Sequence, residues 1–410
     1  MALPRSSAGP RILMVGYNGA NNTGAEALLL ADIADVRAVL GPQARITIPS
    51  LNPANLRRYV REDEHLRIVR LPPVFVRTAR RLVQDHDLVM LVEGSAYMDT
   101  WTSALLWAFL WVTHCAKTFG KPSLAYAVDA GSLKPANARR VRREASKTDL
   151  IITRSRGAAE RLRGWGVTSA IEVTADNALT FVPDPSDAGV VRCLWPDAPA
   201  RVVGMAVVDF HLWPVVIRPF GRRASCYRWP YYFQRSRARC RASRALAASY
   251  AALADELVST HDVGIALIAM EGLDEPFAAT VWKGMQHQER ARLFSARTLN
   301  ASQMTWLLRS LTALQTSRYH AAVLSLAGQV PQVAVGHDLR LRTLYEELGL
   351  RDRWFVEPER LDLLPARIGE LLRSPAEQRG LLTAGHAELL ARAQRNRELL
   401  RAFLADRGWV

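Results

Sequence analysis

The sequence predicts an α/β fold in which two Rossmann-like domains face a central cleft. Short apolar runs rich in Val, Ile and Leu alternate with helical patterns along almost the whole chain, which is typical of parallel sheets. A stretch rich in Pro and Asp interrupts this alternation at residues 182–199. The length of 410 residues suits two domains of ordinary size. We therefore predict domains at residues 1–188 and 201–375, a linker at 189–200 and a C-terminal helix at 376–410.

In the predicted first domain, apolar runs indicate strands at residues 11–17, 44–51, 87–94, 122–131, 149–155 and 170–176. Helical patterns lie between them, for example at residues 25–41 and 157–166. The predicted second domain repeats the pattern, with strands at residues 201–208, 263–270, 311–317, 330–336 and 353–358. In open sheets of this kind ligands bind beyond the carboxyl ends of the strands, so residues that follow a strand are candidates for function.

The most hydrophobic stretch, residues 100–116, is rich in Trp. Polar residues interrupt it, and it is shorter than the ~20 apolar residues that a membrane span needs. We interpret it as a buried helix, and a helix lying on a membrane surface is the alternative. His114, within this stretch, is expected to be a core histidine, whereas His86, between two Asp, is expected at the surface.

The chain is strongly basic, with a formal net charge of +15. A charge of this size is typical of proteins that bind nucleic acids or anionic surfaces. The positive residues are mostly Arg in an Ala-rich sequence, however, a composition that coding bias alone produces, so we expect no nucleic acid as a partner. An excess of Arg also suits small anionic substrates, because the planar guanidinium matches carboxylate and phosphate oxygens.

Four cysteines lie far apart and form no CxxC pair, which excludes the common zinc patterns and gives no disulfide framework. The residues before the first predicted strand contain no apolar region of the signal-peptide kind. We therefore expect a cytoplasmic protein, either free or at the inner face of the membrane, that needs no metal or other cofactor. The oligomeric state is not readable from the sequence.

One segment, residues 211–244, does not fit the alternation of strands and helices. It contains nine Arg and no acidic residue, interleaved with aromatic side chains. We interpret it as a lid that presents Arg and aromatic groups to an anionic ligand bearing a sugar. A solvated basic loop and a membrane-binding surface are the alternatives. The lid is favoured because five aromatic side chains would be costly to leave scattered on a surface, namely Trp213, Tyr227, Trp229, Tyr231 and Tyr232.

The first predicted strand runs into a glycine-rich turn at residues 16–24, where main-chain amides can approach a ligand ahead of a helix. The spacing is not GxGxxG, so a dinucleotide site is not supported, and glycines also occur in such turns without a ligand. Carboxylates follow two later strands. They are candidates for ligand contacts, and the alternative is that each forms a hydrogen bond within the fold. The candidate residues of the turn and of these strand ends are Gly16, Asn18, Gly19, Asn22, Gly24, Glu26, Glu93 and Asp129.

Two arginines occupy equivalent positions, Arg154 after a strand of the first half and Arg318 after a strand of the second. Together they could clamp a dianion across the predicted cleft. His320 follows Arg318 by two residues, a spacing that points two side chains apart in a regular helix. Imidazole is the side chain most easily poised for proton transfer near neutral pH, so His320 is a candidate catalytic residue.

Four stretches carry a resemblance to one enzyme family. Residues 16–30 (GYNGANNTGAEALLL) match an opening G-Y-x-G-x-x-N-x-G-D-E-A motif, and residues 153–181 match an R-D motif followed by a V-x-x-D-P strand. Residues 317–335 (SRYHAAVLSLAGQVPQVAV) match an R-x-H helix and a G-V-P strand, and residues 336–350 match a closing Y-D-x-K segment. The sequence thus resembles, over most of its length, the polysaccharide pyruvyltransferases, which have a two-domain glycosyltransferase-B-like fold.

The resemblance implies transfer of pyruvate from phosphoenolpyruvate to saccharide hydroxyls, usually as a ketal, with release of phosphate. Arg318 and His320 correspond to the family's functional Arg and His, Arg154 to the Arg of the R-D motif, and Arg340 to an expected Lys. We predict that Arg318 and Arg340 bind the donor's anionic groups and that His320 transfers protons. The predicted donor-binding set is Arg154, Arg340, Ser317 and Arg218.

The sequence departs from the family motifs at three places. Ala25 and Ser155 stand where the family has Asp, and Glu93-Gly94-Ser95 stands where it has three Gly. The expected partners are phosphoenolpyruvate as co-substrate and a saccharide acceptor, free or lipid-linked, with peripheral membrane contact as a further option.

Two other functions remain open. A nucleotide-sugar glycosyltransferase would use the same two-domain cleft, although the second half contains no obvious E-x-x-x-x-x-x-E pattern for the donor ribose. A non-catalytic protein would bind RNA or anionic lipid through residues 211–244, with an affinity that falls steeply as salt increases.

Overall fold

The computed structural model describes residues 9–212, 214–224, 227–336 and 339–410, so Trp213 of the basic segment and Cys226 lie outside the described residues. The chain forms two compact units. Unit 1 contains the described residues up to Ala20 together with Leu28–Phe181 and Leu390–Val410, and unit 2 contains Asn21–Ala27 and Val182–Leu389.

Three segments depart from the predicted contiguous domains, and one of them, residues 182–188, was predicted in the first domain but belongs to unit 2. Residues Asn21–Ala27 belong to unit 2 because their main chain bonds to that unit, for example from Gly272 N to Asn21 O at 2.8 Å. Residues Leu390–Val410 belong to unit 1 because side chains such as Leu400 and Phe403 are buried in its core.

Unit 1 is built on a parallel sheet of seven strands. These are β1 (Arg11–Val15), β2 (Arg45–Ser50), β3 (Leu66–Arg70), β4 (Leu88–Leu91), β5 (Ser123–Val128), β6 (Leu150–Thr153) and β7 (Ala170–Val173). Their order is β3-β2-β1-β4-β5-β6-β7, which contains the doubly wound order of a Rossmann fold. The inner strands β1, β2, β4, β5 and β6 are buried along nearly their whole length, which explains the continuous apolar runs in the sequence.

The helices of unit 1 connect these strands. They are α1 (Thr23–Leu40), whose first residues belong to unit 2, α2 (Pro53–Leu56), α3 (Val76–Gln84), α4 (Ser103–Thr118), α5 (Pro135–Ala145) and α6 (Arg156–Gly164). The Trp-rich stretch forms α4, which begins at the N-cap Thr102 and buries Leu106, Phe109 and Leu110. Short 3-10 turns follow at Asn177–Thr180 and Pro185–Asp187.

Unit 2 contains a second parallel sheet, of six strands. Its strands are β8 (Val202–Ala206), β11 (Gly264–Ala269), β12 (Ala291–Ser295), β13 (Ala313–Thr316), β14 (Gln332–Val335) and β15 (Phe355–Val356), and a separate antiparallel pair is formed by β9 (Val215–Ile217) and β10 (Tyr231–Phe233). The order β12-β11-β8-β13-β14-β15 repeats the doubly wound arrangement. The predicted α/β fold with two Rossmann-like domains is therefore confirmed.

The helices of unit 2 complete this pattern, and the last helix continues into unit 1. They are α7 (Val190–Leu194), α8 (Arg237–His261), α9 (Glu275–Gly284), α10 (Ala301–Arg309), α11 (Tyr319–Ser325), α12 (Leu339–Glu347), α13 (Arg351–Trp354), α14 (Leu364–Arg373) and α15 (Ala376–Ala405). Short 3-10 turns lie at Gln288–Arg290, Leu326–Gly328 and Pro358–Leu363.

The pair β9 and β10 lies in the chain between β8, the first strand of unit 2, and helix α8. The pair is attached to the unit by a small apolar cluster in which Val215 and Phe233 pack with Leu273. Much of the basic segment 211–244 is therefore ordered structure, because this hairpin and the first turns of α8 account for many of its residues.

Two histidines differ from the expectation. His86, expected at the surface, is only 1% exposed, and its Nδ1 lies 2.5 Å from Leu82 O. Burial lowers the pKa of this imidazole below its usual value. His114, expected in the core, is 43% exposed in its side chain and lies 3.1 Å from Glu144, because it occupies the outer face of α4.

Candidate functional site

His320 lies in the first turn of α11, and its imidazole packs against the main chain at Gly24. A Cβ atom at Gly24 would overlap the Nδ1 and Cγ atoms of the ring, so only glycine leaves room for it. On another side Tyr319 meets the imidazole edge to face, with ring centroids 5.1 Å apart. The imidazole is thus fixed, while the residue remains partly exposed to solvent.

The end of the glycine-rich turn is held in unit 2 beside the strand end of β11. Asn22 forms an antiparallel bridge with Glu271. The carboxylate of Glu26 accepts a hydrogen bond from Ala301 N, at the start of α10, at 3.1 Å. Three of the candidate residues from the turn therefore lie in the same unit as His320, namely Asn22, Gly24 and Glu26.

Arg318 precedes α11 with an extended main chain (φ −112°, ψ 122°), so the helical spacing that would separate its side chain from His320 does not apply. Its Nε donates to Asp274 Oδ2 at 2.8 Å, its Nη2 donates to the same carboxylate, and its Nη1 lies 3.2 Å from Glu271 Oε2. The side chain is 12% exposed. Arg318 is therefore paired with two carboxylates, which the sequence prediction did not include.

The Asp274 carboxyl is buried beside this guanidinium. Burial raises its pKa above the usual value, although Arg318 opposes the shift. Asp274 also accepts a hydrogen bond from Glu271 N at 3.0 Å, which closes the turn after β11. The chelated guanidinium fixes both acids relative to the strand end of β13.

Ser317, predicted in the donor-binding set, lies between β13 and Arg318. Its hydroxyl is 3.2 Å from that of Tyr250, and its main-chain N donates to Ala206 O at 2.9 Å. Burial raises the pKa of Tyr250 to about 12, so this phenol stays protonated at neutral pH. Ser317 is itself buried, so the structure gives it a role in fixing the turn that carries Arg318.

Arg154 occupies the equivalent position in unit 1, after β6, but its side chain is fully buried. Its Nε donates to Asp129 Oδ2 at 2.9 Å and its Nη1 donates to Asp176 Oδ2 at 2.6 Å. A Cβ atom at Gly94 would overlap Nη1, so this glycine gives the guanidinium its space. The prediction that Arg154 contacts the donor does not fit this arrangement, because the side chain has no exposed surface and two carboxylates match its charge.

The first part of the predicted glycine-rich turn, up to Ala20, uses its amides within unit 1. The carboxylate of Glu93 accepts hydrogen bonds from Tyr17 N at 2.9 Å and from Ser95 N at 3.0 Å. Gly19 N donates to the hydroxyl of Tyr59 at 3.1 Å, and Gly19 has a φ of +79°, which favours glycine. Asn18 O accepts from Ser50 Oγ and a Cβ at Gly16 would meet Val92 O at 2.8 Å, so close packing within the fold accounts for the remaining turn residues.

The other two predicted donor-binding arginines lie elsewhere in unit 2. Arg340 is in the first turn of α12 and is partly exposed, and its neighbours His337 and Asp338 lie outside the described residues. Arg218 follows β9, where its Nη2 donates to Phe233 O at 2.9 Å and its guanidinium lies 5.8 Å from the centroid of Tyr232.

Sequence reasoning missed Glu271 and Asp274. Both follow β11 directly in the stretch EGLDEP, and the rule that directed attention to Glu93 and Asp129 applies to them equally. Their position after a strand was the available signal. Their pairing with Arg318 was not available, because those residues are more than forty positions apart in the chain.

Neither a metal site nor a membrane span is found within the residues that the structure describes. No three His, Cys, Asp or Glu side chains among them are grouped closely enough to hold a metal ion. None of the helices in the described ranges combines the length and apolar character needed to cross a membrane.

Comparison with known proteins gives a family and a fold. The family described as polysaccharide pyruvyl transferase matches residues 22–338. No curated protein gives a significant match to the sequence.

The solved structures that are similar include nucleotide-sugar enzymes with the GT-B fold. Anabaena Alr3699/HepE in complex with UDP-glucose has a TM-score of 0.61 at 15% identity, over 97% of this chain and 100% of that one. MnaA of S. aureus with UDP has a TM-score of 0.64 at 11% identity, over 98% of both chains. UDP-GlcNAc 2-epimerase of Neisseria meningitidis bound to UDP-GlcNAc has a TM-score of 0.62 at 10% identity, over 95% of this chain and 99% of that one. At these identities the likeness establishes the GT-B-like fold.

Proposed function

Because the chain belongs to the polysaccharide pyruvyl transferase family, we propose that it transfers a pyruvyl group from phosphoenolpyruvate to a saccharide hydroxyl as a ketal. The observation that carries the proposal is the arrangement in unit 2 of an imidazole seated on Gly24 beside a chelated guanidinium. The cytoplasm, where phosphoenolpyruvate is formed, is the proposed site of the reaction, with the acceptor free or lipid-linked at the membrane face.

The reaction requires a proton to reach the methylene carbon of phosphoenolpyruvate. We assign this proton to His320, whose imidazole is held in place from two sides. Protonation makes the neighbouring carbon electrophilic, and a first sugar hydroxyl bonds to it and loses its proton. The carbon–oxygen bond to phosphate then breaks, and a second hydroxyl completes the ketal as its own proton is released. Two hydroxyl protons are lost, while one proton is gained by carbon and one by phosphate.

Arg318 in this proposal serves the donor's carboxylate. Asp274 chelates the guanidinium through two nitrogens, whereas Glu271 contacts a third nitrogen at the longer distance of 3.2 Å. The donor carboxylate would replace Glu271 at that nitrogen, since planar carboxylates bind guanidinium in the same way. Asp274 would keep the guanidinium in position throughout, and Arg340 and Arg218 remain proposed contacts of the phosphate.

The departures from the family motif are compatible with this function. Ser155 is the N-cap of α6, and its Oγ accepts a hydrogen bond from Ala158 N at 3.2 Å. Asp also caps helices in this way, so the presence of Ser in place of the family's Asp preserves the local structure. Ala25 N donates to Asn22 Oδ1 at 3.1 Å, a bond that needs no carboxylate at residue 25.

The test is release of phosphate from phosphoenolpyruvate in the presence of candidate saccharides. His320→Gln should lower the rate about 100-fold or more, which is the usual contribution of a general acid. His287→Gln is the matched control, because His287 is a half-exposed histidine of the same unit whose ring Nδ1 lies 3.5 Å from Glu289. Full activity in a folded His320→Gln variant would contradict the assignment of His320 as the proton donor.

A thermal-shift comparison tests the donor. Stabilisation by phosphoenolpyruvate and not by UDP-glucose or UDP-GlcNAc is the expected result. Stabilisation by nucleotide sugars alone, with turnover of the sugar, would instead favour a glycosyltransferase of the same fold and would contradict the pyruvyl donor.

A further inference from the structure

A large cavity in unit 2 contains neither of the two residues assigned to the transfer of pyruvate, and it shares only Arg218 with the proposed contacts of the donor. It has a volume of about 610 Å³, within the range of about 300–1,000 Å³ that is typical of small-molecule sites. The cavity lies between the basic segment 211–244 and the start of α9. Its lining does not include Arg318 or His320.

The lining of this cavity is rich in arginine and poor in acid. Among the described residues, the lining has seven arginines from three separate parts of the chain and one carboxylate, Asp209, which accepts hydrogen bonds from Ser243 Oγ at 2.8 Å and from His211 N. The lining arginines are Arg218, Arg222, Arg223, Arg235, Arg239, Arg244 and Arg297.

Main-chain carbonyl groups hold several of these side chains. Arg218 donates to Phe233 O at 2.9 Å and Arg244 donates to Cys240 O at 3.3 Å. Among the described residues, none of Arg218, Arg222, Arg223, Arg235 and Arg244 forms an ion pair with a carboxylate. A carbonyl orients a guanidinium but leaves its positive charge unmatched. The cavity therefore concentrates positive charge that a ligand can neutralise.

Apolar side chains form another part of the lining. They include Leu212, Phe233, Leu273 and Phe277, and the first three belong to the cluster that attaches the hairpin of β9 and β10 to the unit. An inorganic ion alone would leave this surface without a partner. A ligand that carries an anionic group at one end and an organic group at the other fits both parts.

We propose that this cavity binds a diphosphate ester, with the diphosphate on the arginines and the organic group on the apolar side chains. A diphosphate has more charge and more oxygens than a single phosphate, so it can bind more of the seven lining arginines at once. The ester is the diphosphate of a nucleoside or of a lipid, since both present the same anionic group. The proposal concerns a ligand other than phosphoenolpyruvate and does not depend on pyruvyl transfer.

The experiment measures binding directly, by calorimetry at about 0.15 M salt, with inorganic pyrophosphate, UDP, farnesyl diphosphate and phosphoenolpyruvate. Arg222→Ala/Arg223→Ala removes two exposed arginines of the lining. Arg237→Ala/Arg241→Ala is the matched control, because these arginines are equally exposed in the same basic segment but do not line the cavity. Thermal unfolding verifies that all variants are folded.

We expect the lining variant to bind UDP or farnesyl diphosphate at least tenfold more weakly, because each lost charged hydrogen bond is worth about a factor of ten. The control variant should change the affinity less than twofold. At least one of the two esters should bind more tightly than pyrophosphate. Tighter binding of UDP indicates a nucleoside diphosphate as the ligand, and tighter binding of farnesyl diphosphate indicates a lipid diphosphate.

Three results would overturn the proposal. The first is absence of binding of every diphosphate to the unmodified protein. The second is equal weakening in both variants with a steep dependence on salt, which is the behaviour of a basic surface that binds any polyanion, including RNA. The third is binding of phosphoenolpyruvate alone with the same sensitivity to Arg222→Ala/Arg223→Ala, which would make the cavity the donor site. If the unmodified protein binds a diphosphate but does not turn over phosphoenolpyruvate, the result contradicts the proposed function and leaves the diphosphate site intact.

Discussion

Arg154 and Arg318 follow equivalent strands in two units of the same architecture, yet their environments differ. Arg154 is completely buried between Asp129 and Asp176, whereas Arg318 is 12% exposed and is paired with Asp274 and Glu271. Each arginine is matched by two carboxylates, so charge does not distinguish them. The distinguishing property is access, because only Arg318 has a surface that a ligand can reach.

Each arginine region also depends on one glycine. In unit 1 a Cβ at Gly94 would overlap the guanidinium of Arg154, and in unit 2 a Cβ at Gly24 would overlap the imidazole of His320. The first glycine makes room for a buried ion pair and the second for a candidate catalytic group. The comparison teaches that an arginine placed after a strand can be a buried structural group in unit 1 and part of a partly exposed, proposed active site in unit 2.

The largest expected effect is that of Arg154→Met on stability. It removes the guanidinium that bonds to the buried carboxylates of Asp129 and Asp176, and loss of one partner of a buried pair costs about 3–5 kcal/mol of unfolding free energy. Arg318→Met should cost less, about 1–3 kcal/mol, because solvent reaches that site. Urea unfolding of both variants, with Arg139→Ala as an exposed control, checks the order. Equal losses of unfolding free energy in the two variants would contradict the difference in burial between the two arginines.

The next effect separates stability from activity. Gly94→Ala should lower the unfolding free energy by about 1–3 kcal/mol through overpacking against Arg154, with little change in kcat of the folded protein. Gly24→Ala should lower turnover of phosphoenolpyruvate about 100-fold, because the imidazole is displaced. Gly380→Ala is the control, since nothing lies within 4 Å of the added methyl group. A fully active Gly24→Ala variant contradicts the assignment of His320.

A smaller effect is expected on the pH dependence of stability. Burial lowers the pKa of His86, His261 and His386 below 6.5 in the folded protein. As pH falls below 6.5 the unfolded chain takes up these protons first, so the unfolding free energy decreases until the folded-state pKa values are passed. Guanidinium groups stay charged over this range, so Arg139→Ala at its exposed position should keep the same slope. His86→Gln should reduce it.

The smallest expected effect is that of restoring a family residue. Ser155→Asp should change the unfolding free energy by less than about 0.5 kcal/mol, because Asp and Ser cap helices about equally well. Ser155→Ala should cost about 1 kcal/mol by removing the bond to Ala158 N. Thermal unfolding measures both. A large gain in phosphoenolpyruvate turnover for Ser155→Asp would mean that this position acts in the chemistry.

Much of the fold follows from the sequence, because central parallel strands are buried on both faces and appear as continuous apolar runs. The strands that the prediction missed, β3 and β12, lie at the edge of their sheets. Edge strands are partly exposed, and charged residues such as Arg67 and Arg292 break their apolar pattern. The hairpin of β9 and β10 was missed because its strands have only three residues each.

The candidate site was only partly predictable. Local sequence identified Arg318 and His320 by their place after a strand, but burial depends on the whole unit and separates Arg318 from Arg154 only in the structure. The histidines illustrate the same limit. His86 lies between two Asp and is nevertheless buried, because the packing of α3 and β4 decides its exposure.

The seven residues Asn21–Ala27 make unit 2 a discontinuous folding unit. A fragment that starts at Val182 would lack the peptide that bonds to Met270 and Gly272 and that supplies Gly24 beneath His320. Such a fragment should gain stability from a synthetic peptide of these residues added in trans. Any exchange of whole domains between relatives of this chain must carry this short peptide along with residues 182–389, or the recipient inherits an incomplete site.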